Sequence, residues 1–198
     1  MTIWTCKGPL AAFGVMLLTA CEGGQGLGAS SGAAKPPLSR AKMAGGVELV
    51  APDGFCIDQT SLEARFAVIA RCDGLGAPAS AGAAPRGLIT VSLTQSKPGS
   101  LPSAQQIAAE TSLQNVSDVE KGDQSVTFRA QGRIPVGGIS PNQWRGVARM
   151  GTQTAGIAVY GPERGEIVSA SGRRVLTQLI TRSIDASAPA KTTVAQRN

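Results

Sequence analysis

SVTFRAQ (125–131), QWRGVARM (143–150) and TQTAGIAVY (152–160) are the runs that decide the fold of this 198-residue chain. In the first, Val126, Phe128 and Ala130 fall on one side and Arg129 on the other. In the second, Trp144, Gly146, Ala148 and Met150 alternate with Arg145, Val147 and Arg149. A period of two sends successive side chains to opposite faces of a sheet, so these runs predict strands. Residues 169–184 then change period. Val175, Leu176, Leu179, Ile180 and Ser183 recur at helical spacing, with Ser169 or Ser171 available as a cap.

Towards the N-terminus the same reading continues. LITVSLT (88–94) alternates and is rich in β-branched residues, which predicts a strand. Residues 66–72 and the shorter stretches 47–50 and 56–58 read as extended chain, with a Pro-Asp-Gly turn at 52–54. Residues 102–115 predict a first helix, with Ser100 or Ser103 as cap and Ala104, Ile107, Ala108 and Thr111 as a thin apolar stripe. The order of strands, helix, about three strands and helix predicts an α+β fold: an antiparallel sheet with two packed helices.

The opening Pro52-Asp53-Gly54-Phe55 segment and the closing amphipathic helix resemble the PsbP-like and DcrB-like α/β/α sandwich proteins. The resemblance rests on element order over residues 47–184. It implies a non-enzymatic accessory or envelope role.

Ahead of this domain lies an export signal. Lys7 is followed by an apolar run from Pro9 to Leu18, too short for a spanning helix, which needs about 20 residues. Leu18-Thr19-Ala20-Cys21 then resembles a bacterial lipobox. That resemblance implies cleavage before Cys21, lipid on its thiol, and a bacterial cell-envelope location. Glu22, in place of the Asp that favours inner-membrane retention, implies the periplasmic face of the outer membrane. Residues 22–46 are dominated by Gly, Ala, Ser and Pro and read as a flexible tether carrying the lipidated Cys21. Residues 47–184 read as one domain and 185–198 as a disordered tail. Cys6 leaves with the signal and Cys21 takes lipid, so Cys56 and Cys72 remain for one disulfide in an oxidising compartment.

Without the signal the chain carries 18 basic and 13 acidic residues. The acids concentrate before residue 124, while residues 125–186 hold eight Arg against Glu163, Glu166 and Asp185. Arg129, Arg145 and Arg149 alternate with apolar residues and are expected to share one exposed sheet face. Such a face would suit anionic lipid, lipopolysaccharide, peptidoglycan or an envelope protein; a solvated surface is the plain alternative. Nucleic acid is not expected in that compartment.

Motifs for catalysis are sparse. The chain has no histidine, which removes Ser-His-Asp, Cys-His and His-metal chemistry. Ser39-Arg40-Ala41-Lys42 matches S-x-x-K, but no S-D-N or K-T-G follows. Asp53, Asp58 and Asp73 lie near the cysteines without the spacing of a calcium loop, and turn formation accounts for Asp53 and Asp73. Trp144 falls on the apolar face with Met150 and is expected in the core, with a sugar-stacking surface residue as the alternative. No cofactor and no metal site is expected. The function these features point to is non-enzymatic binding, scaffolding or assembly on a lipid anchor. An envelope hydrolase or peptidoglycan-modifying enzyme using carboxylates or Ser-Lys chemistry is the second reading.

Overall fold

The computed structural model describes residues 35–78, 84–134 and 136–188. Cys21, the expected signal segment and most of the expected tether lie outside the described residues. Nine strands and two α-helices are present among those described: β1 (Arg40–Lys42), β2 (Glu48–Val50), β3 (Phe55–Ile57), β4 (Phe66–Arg71), β5 (Leu88–Gln95), α1 (Ala104–Glu110), β6 (Gln114–Lys121), β7 (Ser125–Gln131), β8 (Asn142–Met150), β9 (Gln153–Tyr160) and α2 (Ala170–Ser187). The fold is α+β, as expected, with its strands antiparallel to their neighbours.

Strands β3 to β9 form one seven-stranded sheet in the order β3-β4-β5-β9-β8-β7-β6. Two meanders, β3–β5 and β6–β9, thus join where β9 lies along β5 from Leu88↔Tyr160 to Gln95↔Gln153. The β5 alternation explains why this seam is central. Ile89, Val91 and Leu93 point to one face and are buried, while Thr90, Ser92 and Thr94 point to the other.

Both faces are covered, but unequally. On the first, Leu176, Leu179 and Ile180 of α2 pack with Phe55, Ile57, Ile69, Ile89, Val91, Trp144, Met150 and Ile157. On the second, α1 sits over β6 and β7, where Ala104 and Ala108 join Val126, Phe128 and Ala130 in a smaller cluster. Ser103 caps α1 reciprocally with Gln106: its hydroxyl accepts from the Gln106 N–H, and the Gln106 side chain accepts from the Ser103 N–H. Trp144 is 3% exposed and donates its indole N–H to the Ser169 carbonyl at 2.7 Å, so it is a core residue that also ties down the start of α2. Gly172 lets the helix approach that closely, because a Cβ there would lie 1.7 Å from the Ile167 carbonyl oxygen and 2.6 Å from the Trp144 ring.

The domain begins earlier than the sequence suggests. Residues 35–46, expected to belong to the tether, are part of the fold. Leu38 exchanges backbone hydrogen bonds with Ile57 at 2.7 and 3.0 Å, β1 pairs with β2, and Ala41 and Met43 are buried. The physical reason is that the segment buries only Ala41 on β1 and Met43 just after it, too few to show against an Ala- and Gly-rich background. Arg40, Ala41 and Lys42 of the S-x-x-K match therefore lie on β1, with Ser39 just before it and Ala41 turned into the core. At the other end, residues 185–187, expected in the tail, complete α2. The Ser187 and Ser183 hydroxyls accept from the backbone N–H groups of Glu48 and Val50, at 2.9 and 3.0 Å, and so satisfy donors of β2.

Gly45 supplies a test of this corrected boundary. Its φ is +68°, its carbonyl accepts from the Thr152 N–H at 3.1 Å, and a Cβ would lie 2.3 Å from the Gln153 side chain. In a tether, Gly45→Ala would be silent. Here it is expected to destabilise the domain by about 2 kcal/mol, the cost of forcing an L-residue into the left-handed region. Urea denaturation measures it, and an unchanged midpoint would return these residues to the tether.

Candidate functional site

The seven-stranded sheet places the three expected arginines on two different sides. Residues directly opposite one another on paired strands share a face. Arg129 lies opposite Trp144, on the α2 face, whereas Arg145 lies opposite Phe128, on the α1 face with Arg149. The single exposed patch of Arg129, Arg145 and Arg149 therefore does not form. Its physical reason is that the apolar side of β7 faces α1 while the apolar side of β8 faces α2, so polar positions on adjacent strands point in opposite directions.

The structure instead sets Arg145 and Arg149 along a groove. Because α1 covers only β6 and β7, a strip of β5, β9 and β8 on that face stays open, and α1 forms its wall. The groove encloses about 360 Å³. Its floor is Gly156, Ala158 and the hydroxyl-bearing Thr90, Ser92, Thr94 and Thr154, and its sides are Pro102, Ile107, Glu110, Thr111 and Val147. A second hollow of about 600 Å³ continues past Thr94 and Thr154 to Lys97 and Arg149. Ser92 and Thr94 each donate a hydroxyl to a β9 carbonyl at 3.3 Å, which fixes the floor.

Arg145 is the chemically distinctive residue of the groove. It is half-buried, and its guanidinium lies 5.5 Å from the centre of the Tyr160 ring. Its Nε is buried without a hydrogen-bond partner, and no carboxylate among the described residues lies within salt-bridge distance. Burial lowers its pKa, opposed by Tyr160. An Arg still keeps its proton in a protein, so the groove holds a charge with no salt-bridge partner among the described residues, with Glu110 elsewhere on its wall. Arg149, four residues along β8 and thus about 13 Å away, donates to the Gly99 carbonyl at the groove's other end. Arg129 also has a buried Nε without a partner, but behind the sheet.

The acids singled out from sequence have structural partners. Arg182 and Gln178 hydrogen-bond Asp53, at 2.7 and 2.6 Å, and hold its carboxyl below the ordinary value. The pair's contribution is thus full above the ordinary carboxylate pKa and is lost as pH falls through the lowered folded value. Asp73 is lowered chiefly by Arg71 and also accepts from the Gly74 N–H. Asp58 accepts from the Thr60 N–H and hydroxyl. Among the described residues no cluster of three His, Cys, Asp or Glu is arranged to hold a metal. Cys56 and Cys72, the expected pair, are bridged across the β3–β4 edge with Cα atoms 4.8 Å apart. No helix among the described residues is long and apolar enough to cross a membrane.

Sequence reasoning missed the groove. Its floor residues are small or hydroxylated, its wall comes from a helix with a thin stripe, and Tyr160 is not paired with Arg145 by any local spacing. The available signal was the Thr90-x-Ser92-x-Thr94 row, a polar face on a strand whose other face is wholly aliphatic.

No protein-family model and no curated protein sequence matches the chain. Among solved structures, the Saccharomyces cerevisiae Ran-binding protein Mog1p is similar over 75% of this chain and 96% of its own, at 13% identity and a TM-score of 0.48. A mutant of the protein Mog1 is similar over 73% of this chain and 93% of its own, at 14% identity and a TM-score of 0.46.

Proposed function

We propose that this chain is a lipid-anchored protein of the bacterial envelope, tethered through Cys21 and facing the periplasm from the outer membrane, whose α+β domain works by binding and not by catalysis. The observation that carries the location is the Leu18-Thr19-Ala20-Cys21 run ahead of a domain closed by the Cys56–Cys72 bridge. Structural disulfides form and persist in oxidising compartments, where exported lipoproteins reside. Two features support binding. The chain has no histidine and Asp53, Asp58 and Asp73 are engaged in structural hydrogen bonds, while Arg145 in the groove has no carboxylate in salt-bridge range among the described residues. The element order, with its resemblance to PsbP-like and DcrB-like proteins, agrees with such a role.

Protease accessibility tests the location. Proteinase K added to intact cells is expected to leave the protein whole, and the same treatment after outer-membrane permeabilisation should degrade it. Protection that persists until the cells are lysed would overturn the reading, as would digestion in intact cells for the periplasmic orientation.

A further inference from the structure

We infer that the groove between α1 and the open strip of β5, β9 and β8 binds a small ligand carrying an oxyanion, carboxylate or phosphate, on an apolar body. This deepens the binding reading above by naming the ligand class. Three observations converge on it. First, Arg145 is half-buried at the groove with no carboxylate in salt-bridge range among the described residues, while Asp53, Asp73 and Glu48 pair with Arg182, Arg71 and Arg40. A desolvated guanidinium gains most from an oxyanion that can take two parallel N–H donations. The Tyr160 ring supports it, and the buried Nε is still without a partner.

Second, apart from Glu110 and Thr111 the walls are aliphatic: Pro102, Ile107 and Val147 flank a floor that includes Gly156 and Ala158. An inorganic ion would leave these surfaces uncovered, whereas a hydrocarbon body would bury them at roughly 25 cal/mol per Å². Third, the size fits. The groove's 360 Å³ falls within the usual range for small-molecule sites, about 300–1,000 Å³. The hollow that continues to Arg149 leaves room for a longer tail or a second anionic group. Gly156 keeps the floor open. A Cβ there would lie 3.3 Å from the Ser92 hydroxyl, and a longer side chain would extend into the groove and not into the α2 core.

The test uses the full chain purified in non-ionic detergent, titrated calorimetrically at low salt with hexanoate, hexyl phosphate and the neutral hexanamide. At least one anion is expected to bind and hexanamide is not. Binding of hexanoate alone assigns a carboxylate ligand, and binding of hexyl phosphate alone a phosphate-headed one. Affinity should fall as salt rises. Arg145→Gln should weaken binding about tenfold or more, the loss expected for a hydrogen-bonded charge. Gly156→Leu should block it with Arg145 in place. Arg129→Gln, behind the sheet, should bind like wild type. Failure of both anions to bind, equal binding of hexanamide, or wild-type affinity in Arg145→Gln would overturn the inference. Should Arg145→Gln not fold by circular dichroism, Gly156→Leu decides, and wild-type affinity there overturns it equally. The purified chain binds or fails to bind irrespective of its anchor, so a negative result leaves the envelope location standing.

Discussion

Replacing Cys21 with serine is expected to move the protein from the membrane fraction to the soluble fraction and to abolish its labelling by palmitate. On the proposed lipidation, a serine hydroxyl cannot take the place of the Cys21 thiol as acceptor of the diacylglyceryl group. Each acyl CH₂ transferred to the bilayer contributes about 0.8 kcal/mol, so two or three chains hold a protein stably and none leaves it free. The apolar run from Pro9 to Leu18 does not substitute as an anchor, because it falls well short of the roughly 20 residues needed to span the membrane. The redistribution should therefore be close to complete. Carbonate washing of isolated membranes, with labelled lipid precursor followed in parallel, measures both effects. A serine variant that remains membrane-bound, from a parent that never takes up label, would mean that a different device holds this protein.

The second large effect is expected at the disulfide. Cys56→Ala with Cys72→Ala should lower the stability of the domain by about 3 kcal/mol, and its melting temperature by roughly 10 °C. The two residues are separated by 16 positions, and in the chain-entropy account the bridge acts by restricting that loop in the unfolded chain. Its position adds a second reason. β3 has three residues and lies at the edge of the sheet, bonded on that side only through the Leu38 bridge. Without the cross-link this edge should open first. Mass spectrometry of the unreduced protein should show two hydrogens fewer than the reduced form, and calorimetry of the variant measures the loss. Two freely alkylated thiols in native protein, or an unchanged melting temperature, would refute this role.

How far the fold was legible depended on how each element buries its side chains. β5, β7, β8 and α2 each present a continuous apolar stripe of the right period, and each formed where that stripe lies. β6 carried no such signal. Only Val116 packs against the core, its pairing with β7 is bulged twice, and Asn115 and Asp118 have positive φ, so the expected three strands after α1 are four. An edge strand held mainly by backbone hydrogen bonds leaves little trace in side-chain pattern. β1 was hidden for a related reason, since its one inward residue is an alanine.

The candidate site divides in the same way. The sequence alone determined that Arg145 and Arg149 share a side of their strand, because a period of two is a property of the chain itself. It also pointed to the Cys56–Cys72 pairing that the structure shows, on the expectation that Cys6 lies in a signal and Cys21 takes lipid. Whether Arg129 joins the other two was decided only by tertiary structure. Alternation shows that a strand has two faces but not which face of its neighbour it matches; that follows from register, where a shift of one residue reverses every side chain. Here both sides of the sheet carry a helix, so an apolar face is satisfied on either. Val126 and Phe128 turn to α1, Trp144 and Met150 turn to α2, and Arg145 is thereby left over the open strip beside Tyr160, where its charge meets a groove in place of bulk solvent.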